Sequence, residues 1–306
     1  MADDEWEIFW CLDAWHPYRK RLQEVLPHWA KVRVLDTSKE LHTQVANAKV
    51  LIPTTGLLPA KVINAAMDLR LIVNPAAGYN NIDIEAAQAR GVPVCTSPGY
   101  NAASVAEGAI MMMLMLVRRV HEQQEVFRQQ GGIGLPFGLQ LHGKTLGIIG
   151  MGRIGVRLAK TAEAIGMKVT GLTSSSTRAE LEALLQTADI VSLHCSLTPK
   201  THGLIGLTEL QMMKKGAFIV NYARADVIQK QALTDALMSG HLGGAGLDVH
   251  WVEPADPSDE IYQHPNVIAT PHTGVASLEV LEQLVSVVCN NIVRRREGKE
   301  LLHRLC

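Results

Sequence analysis

Short apolar runs alternate with longer mixed stretches through the first hundred residues. The apolar runs predict buried parallel strands, and the stretches between them predict helices. The predicted strands are 8–12, 31–35, 50–52, 69–73 and 92–95. The predicted helices are 18–26, 41–48, 59–66 and 84–90. This alternation indicates a parallel α/β sheet, for which we expect a flavodoxin-like arrangement.

A second alternation follows a break at residues 97–99, a Ser-Pro-Gly sequence. It opens with a predicted apolar helix, 104–122, in which methionines cluster at Met111, Met112, Met113 and Met115. Such a density is typical of a core or a subunit interface, and a ligand role is the alternative. The predicted strands are 146–149, 168–172, 189–193, 217–221, 244–249 and 266–270. The predicted helices include 178–186, 208–213, 231–239 and Leu278–Arg296.

The last helix is expected to return to the first sheet, which makes the first domain discontinuous. We therefore predict an α/β protein of two Rossmann-like domains with parallel sheets. One domain comprises residues 1–98 and 276–306, and the other comprises residues 99–275.

Composition limits the possible partners. The 306 residues suffice for two domains, and a net charge of −1 argues against nucleic acid or an anionic membrane. The longest apolar run, 109–117, is about half of a membrane span. The five cysteines contain no C-x-x-C pair, so we expect neither a metal site nor a disulfide framework. The expected compartment is cytoplasmic, or an organelle if a targeting segment has been removed.

A glycine motif, GMGRIG at residues 150–155, lies between a predicted strand and a predicted helix. Gly150 allows a tight turn, Gly152 lets the backbone approach a pyrophosphate, and Gly155 lets the helix pack closely on the strand. The N-terminus of the helix then faces the phosphates. In this context the motif predicts a dinucleotide-binding site, and an ordinary strand-turn-helix is the alternative.

Three charged residues follow strands of the second predicted sheet, at the edge where open α/β sheets bind ligands. They are Arg224, Glu253 and His272. A guanidinium pairs with a carboxylate, and an imidazole exchanges a proton with a ketone or an alcohol. A carboxylate beside the imidazole fixes its tautomer and favours the protonated form. Each residue alone is typical of a surface ion pair, a turn or a loop edge, but together they indicate hydride transfer to a 2-oxo acid.

Over nearly its whole length, the chain resembles the D-isomer-specific 2-hydroxyacid dehydrogenases. Within this family its character is most similar to that of the glyoxylate/hydroxypyruvate reductases. The motifs that carry the resemblance are AGYNNID at 77–83, GMGRIG at 150–155, VNYAR at 220–224, GLDV at 246–249 with Glu253-Pro254, and PHTG at 271–274. The resemblance implies a nicotinamide cofactor, a small 2-oxo or 2-hydroxy acid as substrate, and a homodimer formed through the cofactor domain.

The resemblance also implies residue roles. Arg224 would bind the substrate carboxylate and keto oxygen, His272 would be the acid/base, and Glu253 its partner. In the first domain, Thr55 would line the substrate pocket, and the amides of Ala77 and Gly78 would hold the carboxylate. The cofactor-binding positions are Ser104, Gly150, Gly152, Arg153, Ile154, Gly155, Thr173, Ser174, Ser175, Arg178, His194, Cys195, Ala223, Asp248 and Gly274. Among these, Asp248 would accept a hydrogen bond from the nicotinamide carboxamide.

The chain departs from the family pattern in three places. No acidic residue stands about 20 positions past the glycines. Thr173, Ser174, Ser175 and Arg178 stand there instead and suit a 2′-phosphate, so we predict a preference for NADP, with NAD possible. The alternative is an ordinary Ser-rich turn with Arg178 in solvent. The short segment after Ser174 leaves open whether one strand of the usual sheet is missing. Ala225 replaces the usual glycine after Arg224.

The segments expected to form the substrate pocket contain little basic charge, which favours an unphosphorylated acid such as glyoxylate, hydroxypyruvate or pyruvate. Trp251 leaves an aromatic oxo acid as an alternative substrate. The alternatives are a phosphoglycerate- or phosphite-type dehydrogenase of the same family and a nucleotide-sensing, corepressor-like interaction protein.

Overall fold

Parallel strands and helices alternate along residues 5–306, which the computed structural model describes. The strands are β1 (Trp6–Trp10), β2 (Ala30–Val34), β3 (Ala48–Ile52), β4 (Leu71–Val73), β5 (Val94–Cys95), β6 (Thr145–Ile149), β7 (Lys168–Leu172), β8 (Ile190–Leu193), β9 (Phe218–Asn221), β10 (Gly244–Leu247) and β11 (Val267–Ala269). The helices are α1 (His16–Val25), α2 (Ala60–Ala65), α3 (Ile84–Ala89), α4 (Ala102–Val117), α5 (Val120–Arg128), α6 (Arg153–Ala164), α7 (Arg178–Thr187), α8 (Leu207–Met212), α9 (Lys230–Met238), α10 (Glu260–Gln263) and α11 (Leu278–Arg296). The two predicted runs of alternating strands and helices are confirmed.

The first unit contains the described residues up to Tyr100 together with Ser277–Cys306. Its five strands are parallel, in the order β2-β1-β3-β4-β5, which is the flavodoxin-like order. Phe9, Leu51 and Ile72 are fully buried in this sheet. Helix α11 packs against α1 and β4.

The second unit is Asn101–Ala276, with six parallel strands in the order β7-β6-β8-β9-β10-β11. Alternate strand residues divide between two buried clusters, for instance Leu146 and Ile148 in one and Val191 and Leu193 in the other. The strand order reverses between β6 and β8, which is where sheets of this type bind ligands. Between β7 and β8 the chain forms α7 and no strand, so β7 lies at an edge of this sheet.

The helix predicted over 104–122 is interrupted near its end. The structure has two helices, α4 and α5, separated at Arg118 and Arg119, and Arg119 has a left-handed φ of 56°. At this point the N–H of Leu139 donates to the carbonyl of Val117 at 2.7 Å. A later segment of the chain thus occupies the acceptor that a continuing helix would use.

The predicted helix 41–48 shortens to a 3-10 turn at Leu41–Thr43. The side chain of Gln44 is buried and bonds to the backbone of the preceding loop, to the carbonyls of Asp36 and Lys39 and to the N–H of Asp36. This side chain ties the segment to its own loop, and the backbone does not continue as a helix.

His194 follows β8, and its ring is largely enclosed in the second unit. Its Nε2 lies 2.8 Å from the hydroxyl of Ser192, and its Nδ1 is buried with no hydrogen-bond partner among the described residues. Burial lowers the pKa of His194 to about 4. The folded unit therefore keeps this imidazole neutral at a pH where an unfolded chain protonates it.

We expect His194 to make the second unit less stable as the pH falls from 6.5 towards 4. In this window the unfolded chain binds a proton that the folded chain does not, so the folded state loses stability, by roughly 3 kcal/mol at most. The variant His194→Gln removes this proton uptake. Its Tm should fall less steeply than the wild-type Tm across the same window in scanning calorimetry. Parallel curves for the two proteins would contradict this role.

Candidate active site

Glycines shape the turn between β6 and α6. Gly150 has a φ of +110°, and a Cβ there would lie 2.5 Å from the amide nitrogen of Cys195 and from the carbonyl carbon of His194. The turn thus packs directly on the residues that follow β8. A Cβ on Gly155 would lie 2.3 Å from the Gly150 carbonyl oxygen, whereas a Cβ on Gly152 would meet no heavy atom within 4 Å. The open space beside Gly152 is where a phosphate can approach the backbone.

Helix α6 begins with its first N–H groups unused. Gly152 supplies no side-chain cap, and the first bond of the helix runs from the N–H of Val156 to the carbonyl of Gly152 at 2.9 Å. Among the described residues, the N–H groups of Arg153, Ile154 and Gly155 therefore have no backbone acceptor. Together with the helix dipole, these N–H groups form a site suited to a pyrophosphate.

Hydroxyl groups line the turn after β7. Thr173 Oγ1 lies 2.8 Å from Ser175 Oγ, and the N–H of Thr173 donates to Ser176 Oγ at 3.1 Å. Ser174 is exposed, and the Thr177 side chain caps the N-terminus of α7. The turn therefore presents neutral hydroxyl oxygens and contains no carboxylate.

Arg178 is paired, whereas one alternative from the sequence left it in solvent. Its Nε pairs with Glu182 at 2.8 Å, and its Nη1 pairs with Glu209 at 2.6 Å. Glu209 is largely buried and also accepts from the N–H of Gly206 at 2.9 Å. Two carboxylates thus hold the guanidinium beside the turn after β7.

The end of β9 positions Arg224. The buried side chain of Asn221 accepts from the N–H of Ala223 at 2.9 Å and donates to the carbonyl of Arg224 at 2.9 Å. Arg224 is half-buried, and its Nη1 donates to the Ala223 carbonyl at 2.7 Å. Burial lowers the pKa of Arg224, and the charge of Glu253 acts in the opposite direction. Ala225 starts a 3-10 turn with no need for glycine, so this departure from the family pattern fits the fold.

Glu253 and His272 form a direct pair in the same unit. Nδ1 of His272 lies 3.0 Å from both carboxylate oxygens of Glu253. Burial would raise the pKa of Glu253, but the hydrogen bond and charge of His272, together with the backbone N–H of His250, outweigh it and lower this pKa. Glu253 is therefore ionised at neutral pH and holds the imidazole with Nδ1 protonated. Since Glu253 also acts on the pKa of Arg224, the carboxylate is electrostatically coupled to Arg224 as well as to His272.

Asp248 holds the loop that carries His272, residues 270–274. Its Oδ1 accepts from the Thr270 hydroxyl at 2.6 Å and from the N–H of Thr273 at 2.8 Å, and its Oδ2 accepts from the N–H of Gly274 at 2.8 Å. The Asp248 side chain is buried. Asp248 thus fixes the 270–274 loop through hydrogen bonds.

Ser104 of α4 holds the same loop from the other side. Its hydroxyl donates to the carbonyl of Gly274 at 2.7 Å. A Cβ on Gly274 would lie 2.9 Å from Asp248 Oδ2 and from the Tyr222 ring, so this position accommodates no side chain. Three positions expected at the cofactor, Ser104, Asp248 and Gly274, are thereby connected in one network.

In the first unit, side-chain amides shape two loops that follow strands. Asn81 Nδ2 donates to the carbonyls of Thr54 at 3.1 Å and Gly56 at 2.7 Å, on either side of the half-exposed Thr55. Thr54 is buried with φ 54°, a strained conformation for a β-branched residue. The Asn81 amide thus holds a strained turn in place.

The second loop of this unit contains Ala77 and Gly78. The buried Asn74 donates through Nδ2 to the Gly78 carbonyl at 2.8 Å. Among the described residues, the N–H groups of Ala77 and Gly78 donate to no protein acceptor. Adjacent free N–H groups of this kind are suited to an anionic oxygen.

Sequence reasoning missed several residues of these networks. Asn221, Asn74 and His250 each bond to the backbone around a predicted site residue. Asn74 and Asn221 directly follow or end apolar strands, which is a usable signal because a polar side chain there is at the ligand-binding edge. His250 carries the same signal, because it directly follows the predicted strand 244–249, but its partners are distant in sequence.

Among residues 5–306, no cluster of three or more His, Cys, Asp or Glu side chains could hold a metal ion. No helix in this part of the chain combines the length and the apolar character needed to cross a membrane.

Comparisons with known proteins show the family of this chain. The family model "D-isomer specific 2-hydroxyacid dehydrogenase, NAD binding domain" matches residues 110–274. A glyoxylate reductase of Korarchaeum cryptofilum is 36% identical over 262 residues, covering 80% of this chain and 78% of the relative. A hydroxypyruvate reductase of Blautia hydrogenotrophica is 32% identical over 280 residues, covering 86% of this chain and 87% of the relative. The crystal structure of the TT0316 protein from Thermus thermophilus matches with a TM-score of 0.88 at 35% identity, over 98% of this chain and 100% of that one. The chain belongs to the D-isomer specific 2-hydroxyacid dehydrogenase family.

Proposed function

We propose that the protein reduces a small, unphosphorylated 2-oxo acid to the D-2-hydroxy acid, with a reduced nicotinamide dinucleotide as hydride donor. The observation that carries this proposal is the Glu253–His272 pair, with both carboxylate oxygens 3.0 Å from Nδ1 and Arg224 electrostatically coupled to the same carboxylate. An acid/base and a carboxylate-binding cation in the unit that also holds the glycine turn are what this reaction requires.

In the proposed reaction, the bound cofactor supplies the hydride that the carbonyl carbon receives. His272 gives the proton to the carbonyl oxygen, and Glu253 stabilises the imidazolium before the transfer. Because Nδ1 is held by Glu253, the proton is delivered from Nε2. Arg224 pairs with the substrate carboxylate. In the first unit, the free N–H groups of Ala77 and Gly78 are suited to an anionic oxygen.

The substrates we propose are glyoxylate and hydroxypyruvate, with pyruvate next. The loops 53–57 and 74–79 of the first unit contain no Lys or Arg, which a phosphorylated substrate would require. The two curated relatives compared above carry names for glyoxylate and hydroxypyruvate reduction. A higher kcat/KM for 3-phosphoglycerate or phosphite than for these acids would overturn this assignment.

For the second unit we propose self-association into a homodimer. Apolar side chains are exposed on α4, on α5 and in the segment that follows, at Met111, Leu114, Phe127, Ile133 and Phe137. Exposed apolar side chains grouped along one stretch of the chain are typical of a subunit interface.

The first prediction concerns the acid/base and the cation. His272→Gln should lower kcat by about 10²- to 10⁴-fold, because a positioned acid/base contributes that much. Arg224→Gln should mainly raise KM for the oxo acid, by about tenfold or more, because it removes the carboxylate partner. Both are measured from the loss of reduced-nicotinamide absorbance, with KM for the cofactor as the internal control. A wild-type protein that binds the cofactor and turns over no oxo acid would instead support a nucleotide-sensing protein.

The second prediction separates cofactor binding from folding with two substitutions in one turn. Gly152→Ala adds a methyl group in open space, so the Tm should stay unchanged while Kd for the cofactor rises about tenfold. Gly155→Ala places a methyl group against the Gly150 carbonyl, so the Tm should fall by the equivalent of about 1–3 kcal/mol. Calorimetric titration and thermal unfolding measure the two effects. Unchanged affinity in Gly152→Ala would disprove pyrophosphate binding at this turn.

The third prediction concerns cofactor choice, for which we propose NADPH over NADH. Support comes from the neutral hydroxyls of Thr173, Ser174 and Ser175, whereas Arg178 is already held by Glu182 and Glu209. Thr173→Asp should reverse the preference by about tenfold or more in kcat/KM, because a carboxylate repels the 2′-phosphate and bonds the ribose hydroxyl. Thr161→Asp, an exposed threonine of α6, adds the same charge as a control. Equal kcat/KM for both cofactors in the wild type would disprove the preference.

A further inference from the structure

His250 contacts both Glu253 and the turn that carries His272, but it is not a member of this acid/base pair. It follows β10 by three residues, and its backbone N–H donates to Glu253 Oε1 at 3.2 Å. Its ring reaches the other half, because Nε2 lies 2.9 Å from the carbonyl of Thr270. The N–H of His272 donates to that same carbonyl at 2.8 Å. His250 thus contacts the carboxylate of Glu253 through its backbone and the turn that carries His272 through its ring.

The hydrogen-bond partners fix the tautomer that the neutral His250 ring adopts. The Thr270 carbonyl only accepts, so Nε2 carries the hydrogen. Nδ1 of the neutral ring then accepts from the hydroxyl of Tyr262, which lies 2.8 Å away. Burial, together with the charges of Asp259 and Glu253, raises the pKa of Tyr262 to about 12, so this phenol keeps its proton at neutral pH and acts as the donor. Both ring nitrogens are satisfied in one orientation.

The turn that His250 contacts, around His272, has an unfavourable backbone conformation. His272 has a φ of 54°, a left-handed conformation that is uncommon for a residue other than glycine. Such a conformation is unfavourable and persists only when surrounding contacts enforce it. Asp248 binds the hydroxyl of Thr270 and the N–H groups after His272, whereas His250 binds the carbonyl before it. The two side chains therefore hold the loop through different backbone groups, on either side of His272.

The Tyr262 ring completes the support from α10. Its plane meets the His250 ring at 77°, with ring centroids 5.2 Å apart, so the imidazole packs edge-to-face and cannot rotate without losing both hydrogen bonds. The neighbouring Trp251 donates through Nε1 to the carbonyl of Ile228 at 3.1 Å, which anchors the chain between His250 and Glu253.

We propose that His250, oriented by Tyr262, is a positioning residue that sets the geometry of the Glu253–His272 pair. This inference rests on the proposed function of that pair. It assigns His250 no contact with substrate or cofactor, so its effect falls on the chemical step and leaves the binding of both molecules unchanged.

The test removes the two ring nitrogens of His250 and keeps an aromatic ring at this position. His250→Phe should lower kcat about ten- to a hundredfold, because small displacements of reacting groups have effects of this size. KM for the oxo acid and for the cofactor should change by less than about twofold, since Arg224 and the glycine turn are untouched. His250→Gln offers an amide donor to Thr270 and an amide oxygen to Tyr262, so it should recover most of the lost kcat. An unchanged kcat in His250→Phe, or no recovery in His250→Gln, would overturn the proposal.

His241 provides a matched control. It lies in the same unit, and its Nε2 bonds to the backbone carbonyl of Leu210 at 2.9 Å, as His250 bonds to Thr270. His241→Phe should destabilise the unit comparably and leave kcat unchanged. Tyr262→Phe removes one hydroxyl and keeps the packing, so it tests the network even if His250→Phe folds poorly. Its loss in kcat should not add to that of His250→Phe, because the hydroxyl acts only through the ring. Additive losses would show that Tyr262 does not act through His250.

A proton signal distinguishes failure of this inference from failure of the proposed function. The Nδ1–H of His272, bonded to Glu253, should give a downfield imidazole resonance in NMR spectra of the wild type, absent in His272→Gln. The resonance should broaden or move upfield in His250→Phe and stay in place in His241→Phe. These shifts require no turnover. An inactive wild type with these shifts would defeat the proposed reaction and leave the role of His250 supported, whereas an unmoved resonance would defeat that role.

Discussion

A single buried carboxylate, that of Asp248, organises the reactive end of the second unit. A carboxylate out of contact with water must be surrounded by donors, and here the donors come from Thr270, Thr273 and Gly274. The 270–274 loop cannot move away without leaving the buried carboxylate oxygens without hydrogen bonds. A loop with no regular secondary structure is therefore fixed by the end of β10, and His272 keeps a left-handed conformation that its own sequence does not favour.

Charge is distributed around a second carboxylate in a way that suits the proposed reaction. Glu253 is hydrogen-bonded to His272 and acts electrostatically on Arg224, and the pKa of this carboxyl is lowered although burial acts in the opposite direction. A carboxylate that stays ionised orients the ring of His272. The same charge partly offsets the unfavourable burial of Arg224. The three side chains thus form one electrostatic unit that comes from three neighbouring strand ends.

The sequence predicted the strands because those buried on both faces appear as unbroken apolar runs, and it predicted the charged site residues because the topology brings strand ends to one edge. The errors arose where a side chain or a distant segment competes for backbone groups. Gln44 binds its own loop, and Leu139 takes the carbonyl of Val117, and neither contact is visible in local periodicity. The roles of the site residues stay predictions. Hydrogen bonds such as those from Ser104 to Gly274 and from Thr270 to Asp248 join residues 20 or more positions apart, and the sequence alone does not encode which pairs will meet.

The position of β7 at the edge of its sheet has an evolutionary consequence. Because the chain passes from β7 through one helix directly to β8, the turn at 173–177 borders no further strand and is mostly exposed. In the proposed cofactor site, substitutions at 173–175 would change the polarity that a ribose meets without disturbing a buried ladder or a packed layer. Under that proposal, selection for one of the two nicotinamide cofactors can act on a few surface positions, independently of the residues that keep the domain folded.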